Sequence, residues 1–221
     1  MQENLLIGNQ KKIIKCKEAS NFLSQLDSDW GSLIKKRGNF ILKISHDLEP
    51  YQSLIKSVIF QQLNPKAGNA IFGRFLLIFN NKFPDDKSIL EESSIKIKSC
   101  GLSQNKLLTI LEIASQSANK KLPTSLEIKK IQDDEIIKLF TTIKGVGQWT
   151  VQMLLIFNLG RLDIFPHNDL AIRKNYRKLK RLTSPVTPKE IIEISKAWSP
   201  YRSVASWYLW RVDLKPSNLN Q

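Results

Sequence analysis

Cysteine is scarce. Cys16 and Cys100 are the only two in 221 residues. They are too few and too far apart for a disulfide framework or a Cys-rich metal site, and a reducing cytoplasm fits them. Histidine is equally sparse: His46 and His167 cannot build a metal site between them. No apolar run reaches the ~18 residues that a membrane span needs. The opening MQENLLIGNQKK lacks the basic-then-apolar order of a secretory signal. Val/Thr-rich paired strands, internal repeats and low-complexity linkers are all missing. Acidic residues are in deficit, 20 against 34 Lys and Arg, which leaves a net charge of +14. That excess implies a polyanionic partner, although a merely soluble, Lys-rich surface would give the same composition.

The remainder of the composition is ordinary for a globular protein, with 42% hydrophobic and 24% charged residues. The length suits one compact domain or two small lobes. Helical spacing recurs along most of the chain. Ile13–Leu26 reads as a helix. Asp29 is positioned to cap a second one, closed by Lys35-Lys36-Arg37-Gly38. Phe40–Ile44 reads as extended. Pro50 opens a helix to about Gln62, with Leu54, Ile55, Val58 and Ile59 on its apolar face. Lys66–Phe79 follows, with Ala67, Ala70, Ile71, Phe75 and Leu76 inward. Ser103 caps a helix with Leu107, Leu108, Leu111 and Ala114 on its inner face. Thr124 with Glu127 and Thr187 with Glu190 read as capping boxes. A last helix runs Tyr201–Val212. The sum is an all-α chain of about ten helices.

The chemistry concentrates in LFTTIKGVGQWTVQMLLIFNLGRLDIFPHNDLAIR, Leu139 to Arg173. A helix starting at Asp133 ends in a Lys144-Gly145-Val146-Gly147 turn, and a second helix starts at about Gln148. Two glycines so spaced suit a sharp turn with positive φ and no Cβ in the way. They also leave amide N–H groups bare at a helix N-terminus, where an anion is welcome. In so basic a chain that anion is a nucleic-acid phosphate. Asp169 follows about twenty positions later. By local sequence it, or Asn168 beside it, caps the helix of Leu170–Lys178. Asp163 reads as structural. Arg173, Lys174, Arg177, Lys178, Lys180 and Arg181 form a basic run, read either as a solvated face or as a surface that keeps DNA near.

Helix–GVG–helix followed by an Asp at this distance resembles the helix-hairpin-helix DNA glycosylases. GVGQWT, LLIFNLGR and DIFPHNDLAIR look most like the 3-methyladenine branch of AlkA type. LIKSVIFQQLNPKAG, GLSQNKLLTILEIA and WSPYRSVASWYLWR match as well, in the family's order, so that roughly residues 28–212 are covered. The resemblance implies two helical lobes with a cleft between them: one of about 50–150, the other joining about 1–49 and 151–221, with the hairpin at 133–158. The chain has no room for the N-terminal β domain of the bacterial type member.

The resemblance also implies roles. Asp169 becomes the catalytic carboxylate, stabilising an oxocarbenium-like sugar and orienting water. Where strand-nicking relatives carry a Schiff-base lysine, this chain has Trp149, which implies a monofunctional, water-using enzyme. Trp149 and Trp210 match pocket aromatics that would face a cationic alkylated purine; core packing is the competing reading for both. Met153 stands where the type member has a tyrosine. Gln62 falls at the wedge position that fills the gap left by an extruded base, or is simply a polar helix end. Lys144, Gly145, Gly147 and Arg173 would contact DNA. Hairpin carbonyls are expected to hold a monovalent or alkaline-earth cation; no side-chain metal site and no cofactor are expected. The partner is double-stranded DNA carrying alkylated bases, and the chain is read as a cytoplasmic monomer, nucleoid-associated if bacterial. Two alternatives stay open: a bifunctional oxidised-base glycosylase/lyase, and a non-catalytic hairpin protein that only binds DNA.

Overall fold

The computed structural model describes residues 17–42 and 48–213. Its regular structure is entirely helical. Residues 17–24 form α1. Then come α2 (Ser28–Arg37), α3 (Pro50–Phe60), α4 (Pro65–Ile78), α5 (Asp86–Glu91), α6 (Ser94–Lys98) and α7 (Gln104–Ala118). They are followed by α8 (Asp133–Thr141), α9 (Gln148–Phe157), α10 (Leu170–Leu179), α11 (Pro188–Ser195) and α12 (Arg202–Leu209). Short 3-10 turns lie at Ile128–Lys130 and Lys196–Trp198. Among the described residues there are twelve α-helices and no strand, in line with the all-α reading.

The chain divides into two compact units, Ser45–Leu159 and Met1–Ile44 with Gly160–Gln221. In the middle unit α3 packs on α4, α7 and α9, while α8 packs on α9. Leu54, Ile55, Val58 and Ile59 of α3 are fully buried, as their spacing predicts. Pro50 occupies the first turn of α3, and Asn64 caps α4 by accepting from the Ala67 N–H at 2.9 Å. The second hairpin helix, α9, lies whole within this unit.

The other unit centres on Trp198. Its ring stands edge-on to Trp30 and Phe165, with centroids 5.4 and 5.5 Å away, and Tyr176 packs at 5.5 Å. Such offset aromatic contacts add to the burial of large apolar area. Tyr208, also fully buried, donates its hydroxyl to the Gly38 carbonyl at 2.8 Å and so satisfies its polar end. Asp163 is structural: Arg202 grips both its oxygens at 2.8 Å and Ser199 donates at 2.9 Å.

Several local expectations are corrected. Asp27, not Asp29, caps α2, because its extended backbone aims the carboxylate at the N–H groups of Asp29 and Trp30. Leu108 is 54% exposed; the stripe of Leu107, Ile110, Ile113 and Ala114 faces inward, and Leu108 lies one position off it. Ala70 is exposed, while Gly68 and Phe75 are the buried residues of α4. Thr124 and Glu127 bond reciprocally and lead into the short 3-10 helix Ile128–Lys130, as the capping box predicts. The last helix is shorter than expected, with turns over 210–213. Residues 40–42 form no regular element, and Cys16, His46, the start of the first helix at Ile13 and the end of the Phe40–Ile44 segment lie outside the described residues.

Candidate nucleic-acid interface and active site

The hairpin turn is built around Val146. Its side chain is 3% exposed and, with Ile143 and Phe140, anchors the turn in the core, while Lys144, Gly145 and Gly147 stay on the surface. Gly145 has φ 91, and a Cβ there would sit 2.0 Å from Thr109 Oγ1. Only glycine fits both demands. The Thr109 hydroxyl lies 3.1 Å from the Lys144 carbonyl and 2.9 Å from the Asn105 carbonyl.

Gly147 corrects the expectation of two positive-φ glycines. It is the N-cap of α9, with φ −86 and ψ 163, and a Cβ there would meet nothing within 4 Å. Its backbone conformation suits any residue. What distinguishes it is the open space that a Cβ there would meet and, among the described residues, the lack of a side-chain cap on α9. That is the geometry in which a phosphate oxygen meets helix-terminal N–H groups and the positive end of the dipole.

The end of α3 belongs to the same unit and is tied to the turn. Gln61 donates Nε2 to Thr150 Oγ1 at 3.0 Å and to the Gly145 carbonyl at 3.3 Å. Lys106 Nζ donates to the Ile59 and Gln61 carbonyls at 2.9 and 2.8 Å. Gln62 follows with φ 56, exposed. The structure thus places Gln62 directly after Gln61, the residue bonded to the hairpin. Gln61, Lys106, Thr109 and Thr150 carry no local signal in the sequence, because each acts through a partner tens of positions away.

On α9, Thr150, Val151, Gln152, Leu154, Leu155 and Ile156 are buried, whereas Trp149 remains 44% exposed. Met153, one turn on, is half-buried. Gln148 and Trp149 are the exposed residues of α9, whose later positions are buried or half-buried.

Asp169, half-buried, lies in the other unit as the N-cap of α10. Its Oδ1 accepts from the Ala171 and Ile172 N–H groups at 2.8 and 3.3 Å. Its Oδ2 accepts from Trp210 Nε1 at 3.1 Å. Trp210, half-buried, follows α12, whose last carbonyl, Leu209, accepts from Asn175 of α10 at 2.8 Å. Three N–H donors therefore fix the carboxylate plane. Asp169 is both a cap and an oriented carboxylate.

Arg173 stands one turn further along α10, and its Nε is buried with no hydrogen-bond partner among the described residues. Much of the basic run is bound within the protein. Lys180 pairs with Asp27 at 2.6 Å and Asp29 at 3.2 Å, Lys178 pairs with Asp213, and Arg177 donates to the Leu182 and Thr183 carbonyls. Lys174 and Arg181 are exposed, and His167 is a half-buried loop residue. Among the described residues no group of three His, Cys, Asp or Glu is placed to hold a metal. The carbonyls of the hairpin turn are hard oxygen donors of the kind a hard cation takes, and those of Lys144 and Gly145 already accept from Thr109 and Gln61.

A glycine turn leads into a helix N-terminus in one unit, and an oriented carboxylate opens a helix in the other. Residues 55–200 match the HhH-GPD superfamily of base excision DNA repair proteins, and the chain belongs to that superfamily. It is 41% identical over 196 residues to DNA-3-methyladenine glycosylase 1 of Schizosaccharomyces pombe, covering 88% of this chain and 86% of that protein. It is 35% identical to the alkylbase DNA glycosidase-like protein mag2 of the same yeast, covering 89% and 93%. The solved structure of S. pombe 3-methyladenine DNA glycosylase (Mag1) in complex with abasic DNA superposes with a TM-score of 0.82 at 40% identity, over 88% of this chain and 95% of that one. A DNA-3-methyladenine glycosidase from Bacillus halodurans gives 0.76 at 28%, over 88% and 89%.

Proposed function

We propose that the protein is a monofunctional DNA glycosylase that hydrolyses the N-glycosidic bond of alkylated purines, of the 3-methyladenine and 7-methylguanine type, in duplex DNA. The observation that carries this reading is the Asp169 carboxylate, held by the Ala171 and Ile172 amides on one oxygen and the Trp210 indole on the other. As the bond between C1′ and the base nitrogen breaks, its electron pair passes to the base and neutralises the alkylated, cationic ring. Positive charge moves to the sugar, and a fixed carboxylate beside C1′ stabilises it by roughly 3–4 kcal/mol. Water oxygen then bonds to C1′, and its proton leaves by way of Asp169 to solvent. The products are a free base and an abasic site. A cationic purine is a good leaving group, so no general acid is needed. Trp149 and Trp210 offer indole faces that attract such a ring by about 0.5–2 kcal/mol each, and Met153 supplies an adaptable wall.

In this reading the amides at Gly145 and Gly147, with Lys144 and Arg173, hold phosphates, and Gln62 fills the gap left by the extruded base. A cation on the hairpin carbonyls, when bound, adds positive charge beside that phosphate. The protein acts as a cytoplasmic monomer without a cofactor; no described helix is long and apolar enough to cross a membrane. Trp149, in place of a Schiff-base lysine, favours hydrolysis over lyase chemistry. The test is chromatography of the bases released from alkylated genomic DNA, with borohydride added in parallel. Release of 3-methyladenine or 7-methylguanine without a trapped adduct is expected. Trapping of a covalent complex would replace hydrolysis with lyase chemistry, and binding without any base release would leave a DNA-gripping protein only.

A further inference from the structure

The end of α3 is held from outside the helix. Its last carbonyls lie past the regular i→i+4 ladder and carry the negative end of the helix dipole; Val58 and Phe60 accept from the Gln61 and Leu63 N–H groups of the turn. Lys106, from α7, supplies the missing donors: its ammonium bonds to the Ile59 and Gln61 carbonyls at once, at 2.9 and 2.8 Å. Burial pushes that ammonium below the ordinary lysine range. Gln61 then turns its amide onto Thr150 Oγ1 and the Gly145 carbonyl. One turn beyond Lys106, Thr109 bonds to the Lys144 carbonyl. α7 thus grips the end of α3 and the glycine turn together. The residue that leaves this clamp is Gln62, at φ 56, a region that residues with side chains seldom occupy.

We propose that Lys106 is a positioning residue for Gln62: with Gln61 it locks the end of α3 against the hairpin, so that the gap-filling side chain stands at a fixed offset from the phosphate-gripping amides. This rests on the reading of Gln62 as the residue that enters the duplex. Lys106 itself touches no DNA in this role. Its contribution is register. A base is extruded productively only when the side chain that replaces it arrives where the gripped phosphate has placed the gap.

The experiment compares binding to a duplex carrying a stable abasic analogue (tetrahydrofuran) with binding to the same duplex undamaged. In the wild type, Gln62 filling the gap gives a preference for the abasic duplex. Lys106→Met is expected to cut that preference about tenfold, the scale of a lost charge-assisted hydrogen bond. Affinity for undamaged duplex, set by phosphate contacts, is expected to stay within about twofold. Lys106→Arg is expected to restore most of the preference. In a Gln62→Ala background, Lys106→Met is expected to add nothing, since both act through one side chain. Gln61→Ala leaves Lys106 in place and is expected to reproduce the loss, which covers the case of a poorly folded methionine variant. An unchanged preference overturns the proposal. So does an undiminished effect of Lys106→Met in the Gln62→Ala background, or an equal loss on both duplexes with a shallower salt dependence, which would make Lys106 a phosphate ligand. A wild type that prefers abasic duplex but releases no base refutes the glycosylase reading and leaves this one standing. Base release that is indifferent to Lys106 and Gln61 does the reverse.

Discussion

Trp210 donates its indole N–H to Asp169 Oδ2 across 3.1 Å, so the turn that follows α12 fixes the carboxylate that opens α10. The other oxygen is fixed by the amides of α10 itself. Asp169→Asn tests whether this carboxylate does more than cap. Asn caps helices about as well as Asp, but its Nδ2 would stand against the Trp210 N–H, donor against donor, so stability is expected to fall by about 1–3 kcal/mol while the fold is kept. Base release should fall by about 100- to 1000-fold, the scale of losing one preorganised electrostatic contact. Single-turnover kinetics on a 7-methylguanine duplex measures it, and full activity would end the mechanism.

Trp210→Phe keeps a ring and removes the donor. A hydrogen bond to a charged group contributes about 1.5–3 kcal/mol. If the indole orients Asp169, single-turnover base release should fall roughly 10- to 100-fold, with binding of undamaged duplex retained. An unchanged rate would reduce Trp210 to packing.

The two hairpin glycines should separate in their effects. Gly145→Ala puts a methyl 2.0 Å from Thr109 Oγ1 at φ 91, and is expected to lower melting temperature and DNA affinity together. Gly147→Ala meets no atom within 4 Å at an ordinary φ. It should melt within about 0.5 kcal/mol of wild type yet bind duplex more weakly, because the methyl stands where a phosphate must approach. Calorimetry with a binding titration distinguishes the two.

Asp163 gives a stability signature in acid. Burial acts to raise its pKa, but the Arg202 and Ser199 bonds outweigh it and hold the carboxyl below the ordinary range. A depressed folded value means its contribution is complete above the unfolded value, near about 3.9, and is lost as pH falls through the folded value. Asp163→Asn should therefore cost about 1 kcal/mol at neutral pH, the pair being about one-third exposed and partly screened. It should cost progressively less below about pH 4. Thermal melts of both proteins across pH 2.5–7 (roughly the span of carboxylate titration) give the comparison.

Much of the fold was legible because its determinants are local. Asn64, Ser103 and Thr187 cap the helices they precede, since a cap needs only the next three residues. Gly38 ends α2 at φ 75 for a similarly local reason. Where two neighbours compete for one role, sequence is a poor judge. Asp27 and Asp29 flank the same helix start, and backbone extension at Asp27 chose between them. Leu107 and Leu108 are chemically alike, and only the direction of the core turned one inward.

The sequence by itself determined that the chain is helical, basic and hinged on a glycine turn, and it singled out the acid at residue 169, because periodicity, capping and charge are written within a few positions. What only the tertiary structure decided is which residues hold Asp169 and the glycine turn in place. Trp210 reaches Asp169 from 41 positions away, and Lys106 and Thr109 reach the end of α3 and the hairpin from 45 and 35. Such contacts depend on how helices stack, and side-chain bonds across a packed interface leave no periodic trace along the chain.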